Sequence, residues 1–232
     1  MTGDGPHLIL FDCDGTLVDS QHVIVAAMEA AFAACGLSRP ERQSVLGIIG
    51  LSLPQAMRRV APDADEATRV RLVSAYKEAF FTLRSDPAHH EPFFEGVEEV
   101  LAKLAADEAY VLGIATGKSR RGVASLFERT GIGRFFSTVQ TADDAPSKPN
   151  PGMVLMACTE TGIAPAKAVV IGDTVFDVEM AQAAGARSIA VGYGYHPQTL
   201  LEAQKPTAMV KRMGDVPEVL NAILAKGLVE GS

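Results

Sequence analysis

The sequence predicts an α/β fold: a doubly wound parallel sheet interrupted by one helical insertion. Two patterns carry that expectation. Short apolar runs end in small or acidic residues and lead into helix-like stretches, and the segment from about 20 to 91 breaks this alternation with helical patterns alone.

The strands come first. Leu8–Phe11 runs into Asp12, Tyr110–Ala115 into Thr116-Gly117, Val169–Ile171 into Gly172-Asp173, and Ser188–Val191 into Gly192. Continuous apolar runs of this length suit strands buried on both faces. Helix signals fill the gaps between them. Ser119 can cap a helix running to Thr130, with Gly131 just beyond its end. Pro151 can open another at its first position, ending by Gly162, and Val175–Ala184 closes at Gly185. In the insertion, amphipathic patterns cover Gln21–Cys35, Leu53–Val60 and Ala67–Leu83. Breakers separate them at Arg39-Pro40, Gly47–Gly50, Ala61-Pro62 and Asp86-Pro87. The expected organisation is a core from residues 1–18 and 93–232 with a helical unit at 19–92.

Composition narrows the function. A chain of 232 residues, 47% apolar and 21% charged, is neither disordered nor a disulfide-stapled miniature. Its net charge of −7 argues against nucleic-acid binding by a broad basic surface. Cys13, Cys35 and Cys158 lack ligand-like spacing and read as buried small hydrophobes in a reducing compartment. Met1–Leu8 has no basic leader, and the longest apolar stretch, Val23–Cys35, contains Glu29 and is too short to span a bilayer. A soluble cytoplasmic protein without a membrane partner is therefore expected. The histidines at 7, 22, 89, 90 and 196 share no metal-like spacing. The absence of G-x-S-x-G, Walker A and G-x-G-x-x-G patterns disfavours serine hydrolases, phosphate-loop enzymes and dinucleotide binders.

Ligands of doubly wound sheets bind at the carboxyl ends of the strands. Asp12, Thr116 and Asp173 each stand at such an end, so they can meet although distant in sequence. Asp12 and Asp14, in Asp12-Cys13-Asp14-Gly15-Thr16, can divide the work of nucleophile and acid/base; a polar turn after a strand would look similar. Asp173 and Asp177, in Gly172–Asp177, can share the first turn of a helix, where acidic residues also serve as caps. Thr116-Gly117 offers a hydroxyl and backbone N–H groups to an anion, or an ordinary N-cap. Lys148, bracketed in Ser147-Lys148-Pro149-Asn150-Pro151, can bring positive charge to these carboxylates or remain a solvated loop lysine.

Taken in order, these four elements resemble the motifs of the haloacid dehalogenase superfamily of phosphohydrolases. D-x-D-G-T matches Asp12–Thr16, the strand-terminal Ser/Thr matches Thr116, the lysine followed by proline matches Lys148-Pro149, and G-D-x-x-x-D matches Gly172–Asp177. Phe93–Val97 resembles the family's re-entry from cap to core. The insertion is similar to the helical cap of the phosphoglycolate phosphatase and β-phosphoglucomutase branch. Cys13 departs from the pattern, since many members carry an aromatic there. Strand alternation turns it away from Asp12, so it bears on packing.

The resemblance implies a Rossmann-like core, a helical cap and a set of roles. Asp12 would attack phosphorus, and Asp14 would protonate the leaving oxygen and then help deprotonate water. Thr116 and the Gly117 N–H would hold phosphate oxygens, and Lys148 would offset charge. A Mg²⁺ ion would meet Asp12, the Asp14 carbonyl and Asp173, with Asp177 acting through water. The substrate would be a small phosphorylated metabolite, phosphoglycolate-like or a sugar phosphate. Gly47 and Gly50, in the apolar segment Gly47–Ser52, are candidates to close over it. Asp14 disfavours a dehalogenase, and Lys77, the insertion's one lysine, stands in no setting that suggests a Schiff base for phosphonate cleavage. Two alternatives are a mutase of the β-phosphoglucomutase kind and, from another class, a receiver-like phospho-acceptor. Oligomeric state is not legible.

Overall fold

Leu8, Ile9, Leu10 and Phe11 are all fully buried, as a strand between two helical layers must be. They belong to β1 (His7–Phe11), followed by β2 (Tyr110–Thr116), β3 (Thr138–Thr141), β4 (Ala168–Gly172), β5 (Arg187–Val191) and β6 (Ala208–Val210). In this computed structural model, which describes residues 5–84, 86 and 91–226, the six strands form one parallel sheet in the order β3-β2-β1-β4-β5-β6. The fold is Rossmann-like α/β, as the alternation predicts.

Side chains of β1 alternate between two cores. Ile9, Phe11 and Cys13 pack with Leu112, Ile114, Val169 and Ile171 against α5 (Val97–Ala105) and α10 (Val216–Lys226). Leu8 and Leu10 pack with Val170 against Met153 and Ala157 of α7 (Gly152–Thr161) and Met180 and Ala181 of α8 (Val175–Ala184). The chain leaves β1 for β2 and β3 on one side, then returns to β4 on the other. That reversal opens a crevice at the carboxyl ends of the strands. Phe11 pairs with Ile114 on one side and Ile171 on the other, so Asp12, Thr116 and Asp173 emerge at the same edge.

Between β1 and α5 come α1 (Gln21–Ala34), α2 (Arg42–Leu46), α3 (Leu53–Val60) and α4 (Glu66–Arg84). They gather around Met28, Val45, Met57 and Leu72, and this apolar cluster continues to Phe176 and Tyr195 on the sheet side. Burying one such side chain contributes about 1.5–3 kcal/mol, which explains why these helices hold together without a strand. The chain enters and leaves them through adjacent segments, joined where the Asp19 N–H donates to the Pro92 carbonyl at 2.8 Å.

Several expectations need correction. β3 was not foreseen because Thr138-Val139-Gln140-Thr141 is mostly polar; Thr138 and Gln140 are buried and satisfied by Glu160. β6 spans three residues, too few to show a pattern. Pro151 is the N-cap of α7 and not its first residue. Cys35 is only half-buried, although Cys13 and Cys158 are buried. Pro87, His89 and His90 lie outside the described residues. Among the described residues no helix is long and apolar enough to cross a membrane.

Candidate active site

β1 delivers Asp12 to the crevice. Its N–H extends the ladder to the Ile171 carbonyl at 2.9 Å, and its Oδ1 accepts from the Cys13 N–H at 2.7 Å. Oδ2 is buried 3.0 Å from Lys148 Nζ, a close ion pair. Burial pushes the Asp12 carboxyl up to about 6, against the pull of Lys148 and with a further push from Asp177.

Lys148 is fully buried, and its Nζ also meets Asp177 Oδ1 at 2.6 Å. Burial alone would depress this ammonium, but Asp12 and Asp177 outweigh it and hold the group above its ordinary value. Asp177 Oδ2 accepts from the Thr174 N–H at 3.1 Å and Thr174 Oγ1 at 2.6 Å. Both Asp177 oxygens therefore have protein donors: it caps α8 and anchors Lys148. Asp173 accepts from Thr16 Oγ1 at 3.0 Å and the Tyr195 N–H at 2.8 Å. Burial, then Asp177 and Asp12, raise its carboxyl well above the usual range. Gly15, at φ +86°, lets the turn lie against this group; a Cβ there would fall 2.5 Å from Asp173 Cγ.

Carboxylate oxygens of Asp12, Asp173 and Asp177 lie within 4.8 Å of one another, all buried. Three acids facing one ammonium leave uncompensated buried negative charge. An all-oxygen donor set with that excess fits a hard divalent cation such as Mg²⁺. The Asp14 carboxylate is not in the cluster. Its Oδ1 accepts from Ser20 Oγ at 2.6 Å and Lys118 Nζ at 2.7 Å, which leaves Oδ2 without a protein donor among the described residues. Lys118 Nζ also lies 3.5 Å from Glu91 Oε1, and Glu91 pairs with Arg129.

Thr116 is buried at the end of β2, and its Oγ1 accepts from the Lys118 N–H at 3.2 Å. Asp12, Asp14, Thr116 and Gly117 open onto a cavity of about 520 Å³ beneath the helical unit. Ile48–Ser52 forms part of its roof and is tied down where the Ser52 N–H donates to Ser147 Oγ at 2.8 Å. A Cβ on Gly117 would sit 2.5 Å from the Gly50 carbonyl oxygen, so the two glycines permit a close approach. Gly47 does not line the cavity. It ends α2 with ordinary helical dihedrals, a correction to its pairing with Gly50, because the chain reaches the cavity only after α2 has ended.

Sequence reasoning missed Ser20, Glu91, Lys118, Tyr195 and His196. Tyr195 accepts from the Ser20 N–H at 2.8 Å, and His196 Nδ1 accepts from the Val175 N–H at 3.2 Å. Only Lys118 had a usable signal, its position beside the Thr116-Gly117 turn. Lys77 lines the cavity from an exposed position on α4, which the sequence did not show.

Comparison with known proteins agrees with this geometry. A family model described as haloacid dehalogenase-like hydrolase matches residues 9–191. The chain is 33% identical over 218 residues to the Dickeya dadantii protein named "Probable phosphatase IndB", covering 94% of each. It is 34% identical over 218 residues to "Pyrophosphatase PpaX" of Bacillus velezensis, covering 93% of this chain and 97% of the relative. "Phosphoglycolate phosphatase" of Pseudomonas fluorescens is 28% identical over 211 residues, or 90% of this chain and 77% of the relative. The crystal structure of a hydrolase from Pseudomonas syringae shares the fold, with a TM-score of 0.81 at 24% identity over 94% of this chain and 99% of that one. With the motifs gathered at one sheet edge and a family match over most of its length, the chain belongs to the haloacid dehalogenase-like hydrolases.

Proposed function

We propose that this hydrolase is a Mg²⁺-dependent phosphatase that cleaves a small phosphorylated metabolite through a phosphoryl group carried on Asp12. The observation that supports it most is the setting of Asp12: a buried carboxylate against Lys148, at the mouth of a cavity shared with Asp14 and Thr116. Helices α1–α4, within 19–92, act as a cap over the core.

Mg²⁺ bound by Asp12, Asp173 and the Asp14 carbonyl, with Asp177 acting through water, would offset the phosphate's charge. The chain's own residues do the rest. Lys148 lowers the repulsion between Asp12 and an approaching dianion. Thr116 Oγ1 and the Gly117 N–H hold phosphate oxygens. An Asp12 oxygen forms the bond to phosphorus as the ester oxygen departs, taking a proton from Asp14. Ser20 and Lys118 grip Asp14 by Oδ1, so the unengaged Oδ2 carries that proton. Asp14 then accepts a proton from water as water releases phosphate from Asp12.

The test uses leaving groups. An alkoxide needs protonation and p-nitrophenolate does not. Asp14→Asn should lose about 10²–10⁴-fold on an alkyl phosphate and much less in labelling by p-nitrophenyl phosphate. It should also accumulate phosphate on Asp12, seen by mass after a quench, whereas Asp12→Asn is never labelled. Equal slowing for both esters with normal dephosphorylation, or full activity in a chelator, would count against this reading.

A further inference from the structure

The phosphoryl end of the cavity suits any phosphomonoester, so the walls around the departing alcohol must decide which one is used. On the cap side those walls are Ile24, Met28, Ile48, Ile49, Tyr76 and Phe80. Ile24, Met28, Ile48 and Ile49 are buried parts of the apolar cluster formed by helices α1–α4. Tyr76 and Phe80 stack on α4 with ring centroids 5.8 Å apart. Four cations also line the cavity: Lys77 from an exposed position on α4, and Lys118, Arg84 and Arg121, each set against a neighbour. Lys118 is held by Asp14 and Glu91, Arg84 lies 5.9 Å over the Phe80 ring, and Arg121 lies 4.5 Å over the Phe81 ring.

A sugar placed here would bury hydroxyls against hydrocarbon, and unmatched buried hydroxyls are strongly disfavoured. Hydrocarbon in the same place gains with every methylene removed from water. Both effects favour one class. Resting on the phosphatase reading above, we infer that the substrate is a phosphomonoester of an apolar primary alcohol, alkyl or ring-bearing, and not a sugar phosphate. The cavity of about 520 Å³ is ample for such a group, within the roughly 300–1,000 Å³ usual for ligand sites. The same reasoning speaks against a sugar-phosphate mutase, whose substrate must turn over inside this wall.

The experiment compares esters with similar primary leaving groups, so that only the wall discriminates. The full chain with Mg²⁺ is assayed on ethyl, butyl, hexyl and 2-phenylethyl phosphate, and on glycerol 3-phosphate and glucose 6-phosphate. kcat/KM should rise about fourfold per added methylene until the cavity fills. 2-Phenylethyl phosphate should exceed glucose 6-phosphate by about tenfold or more. Alkylphosphonates, which cannot be hydrolysed, should inhibit with Ki falling along the same series. Met28→Gln should flatten both series, and its melting temperature reports whether it folds. A flat alkyl series with the wild-type chain, or preference for glucose 6-phosphate or glycerol 3-phosphate, overturns this inference while leaving the phosphatase reading intact. No turnover of any ester, p-nitrophenyl phosphate included, overturns both.

Discussion

Replacing Lys148 by Met removes the buried ammonium between Asp12 and Asp177 while keeping most of the side chain's bulk. Two carboxylates then face each other in the interior. Removing one partner of a buried ion pair costs about 3–5 kcal/mol. For a chain of this size that corresponds to a melting temperature lower by roughly 6–20 °C. The loss must depend on pH. Asp12 ionises near 3.8 in the unfolded chain and near 6 in the fold, so the metal-free fold holds the extra proton between those values and loses stability as pH rises through them. Without Lys148 the folded value climbs further and the loss extends upward. At pH 5 Asp12 is largely protonated in both proteins and the deficit is the smaller one, set by the lost Lys148–Asp177 pair; at pH 8 the unpaired Asp12 charge adds to it. Thermal unfolding in chelator at both pH values measures the difference. An equal deficit at pH 5 and pH 8 would refute the part assigned to the Asp12 charge.

Other perturbations probe the remaining parts. Lys118→Met should leave the Asp14 carboxylate poorly aimed, lowering kcat on alkyl phosphates by about tenfold or more while sparing p-nitrophenyl phosphate, with recovery in Lys118→Arg; uniform loss on both esters would mean a purely structural lysine. Gly194→Ala would place a Cβ 2.5 Å from Asp173 Cγ, and Mg²⁺ affinity measured by titration calorimetry should weaken about 10–100-fold; unchanged affinity would remove Asp173 from the metal site. Gly117→Ala should push the Gly50 carbonyl away from the strand edge and reduce kcat/KM for every ester alike, and a normal value would show that this contact is dispensable.

The central fold was readable because burial on both faces writes itself into the sequence as apolar runs. Leu8–Phe11 and Ala168–Gly172 are such strands, and their ends locate Asp12 and Asp173 directly. The edge strands carry less of that signal. β3 buries Thr138 and Gln140 by pairing them with Glu160, a partner twenty residues from Gln140 that no local window contains. The same limit divides the site. Asp12, Thr116, Lys148 and Asp173 sit where strands or stiff loops end, so position alone marks them. Ser20, Glu91 and Tyr195 matter through contacts that only the folded chain creates.

Those contacts share a location. Ser20 lies where the chain enters the cap and Glu91 where it returns, and both reach Asp14, one directly and the other through Lys118. Tyr195 joins the same group to the acid cluster: its N–H donates to Asp173 and its hydroxyl accepts from the Ser20 N–H. The two cap connections and the acid cluster therefore bear on one carboxylate. A shift of either connection would alter how Asp14 is held, while Asp12, fixed by the β1–β4 ladder and Lys148, would stay in place. With the proposed roles, the nucleophile would be held by the sheet and the acid by the connections to helices α1–α4, so proton transfer would be the step exposed to the position of those helices. Sequence motifs place Asp12 and Asp14 two residues apart and suggest a single unit. The fold gives them separate supports.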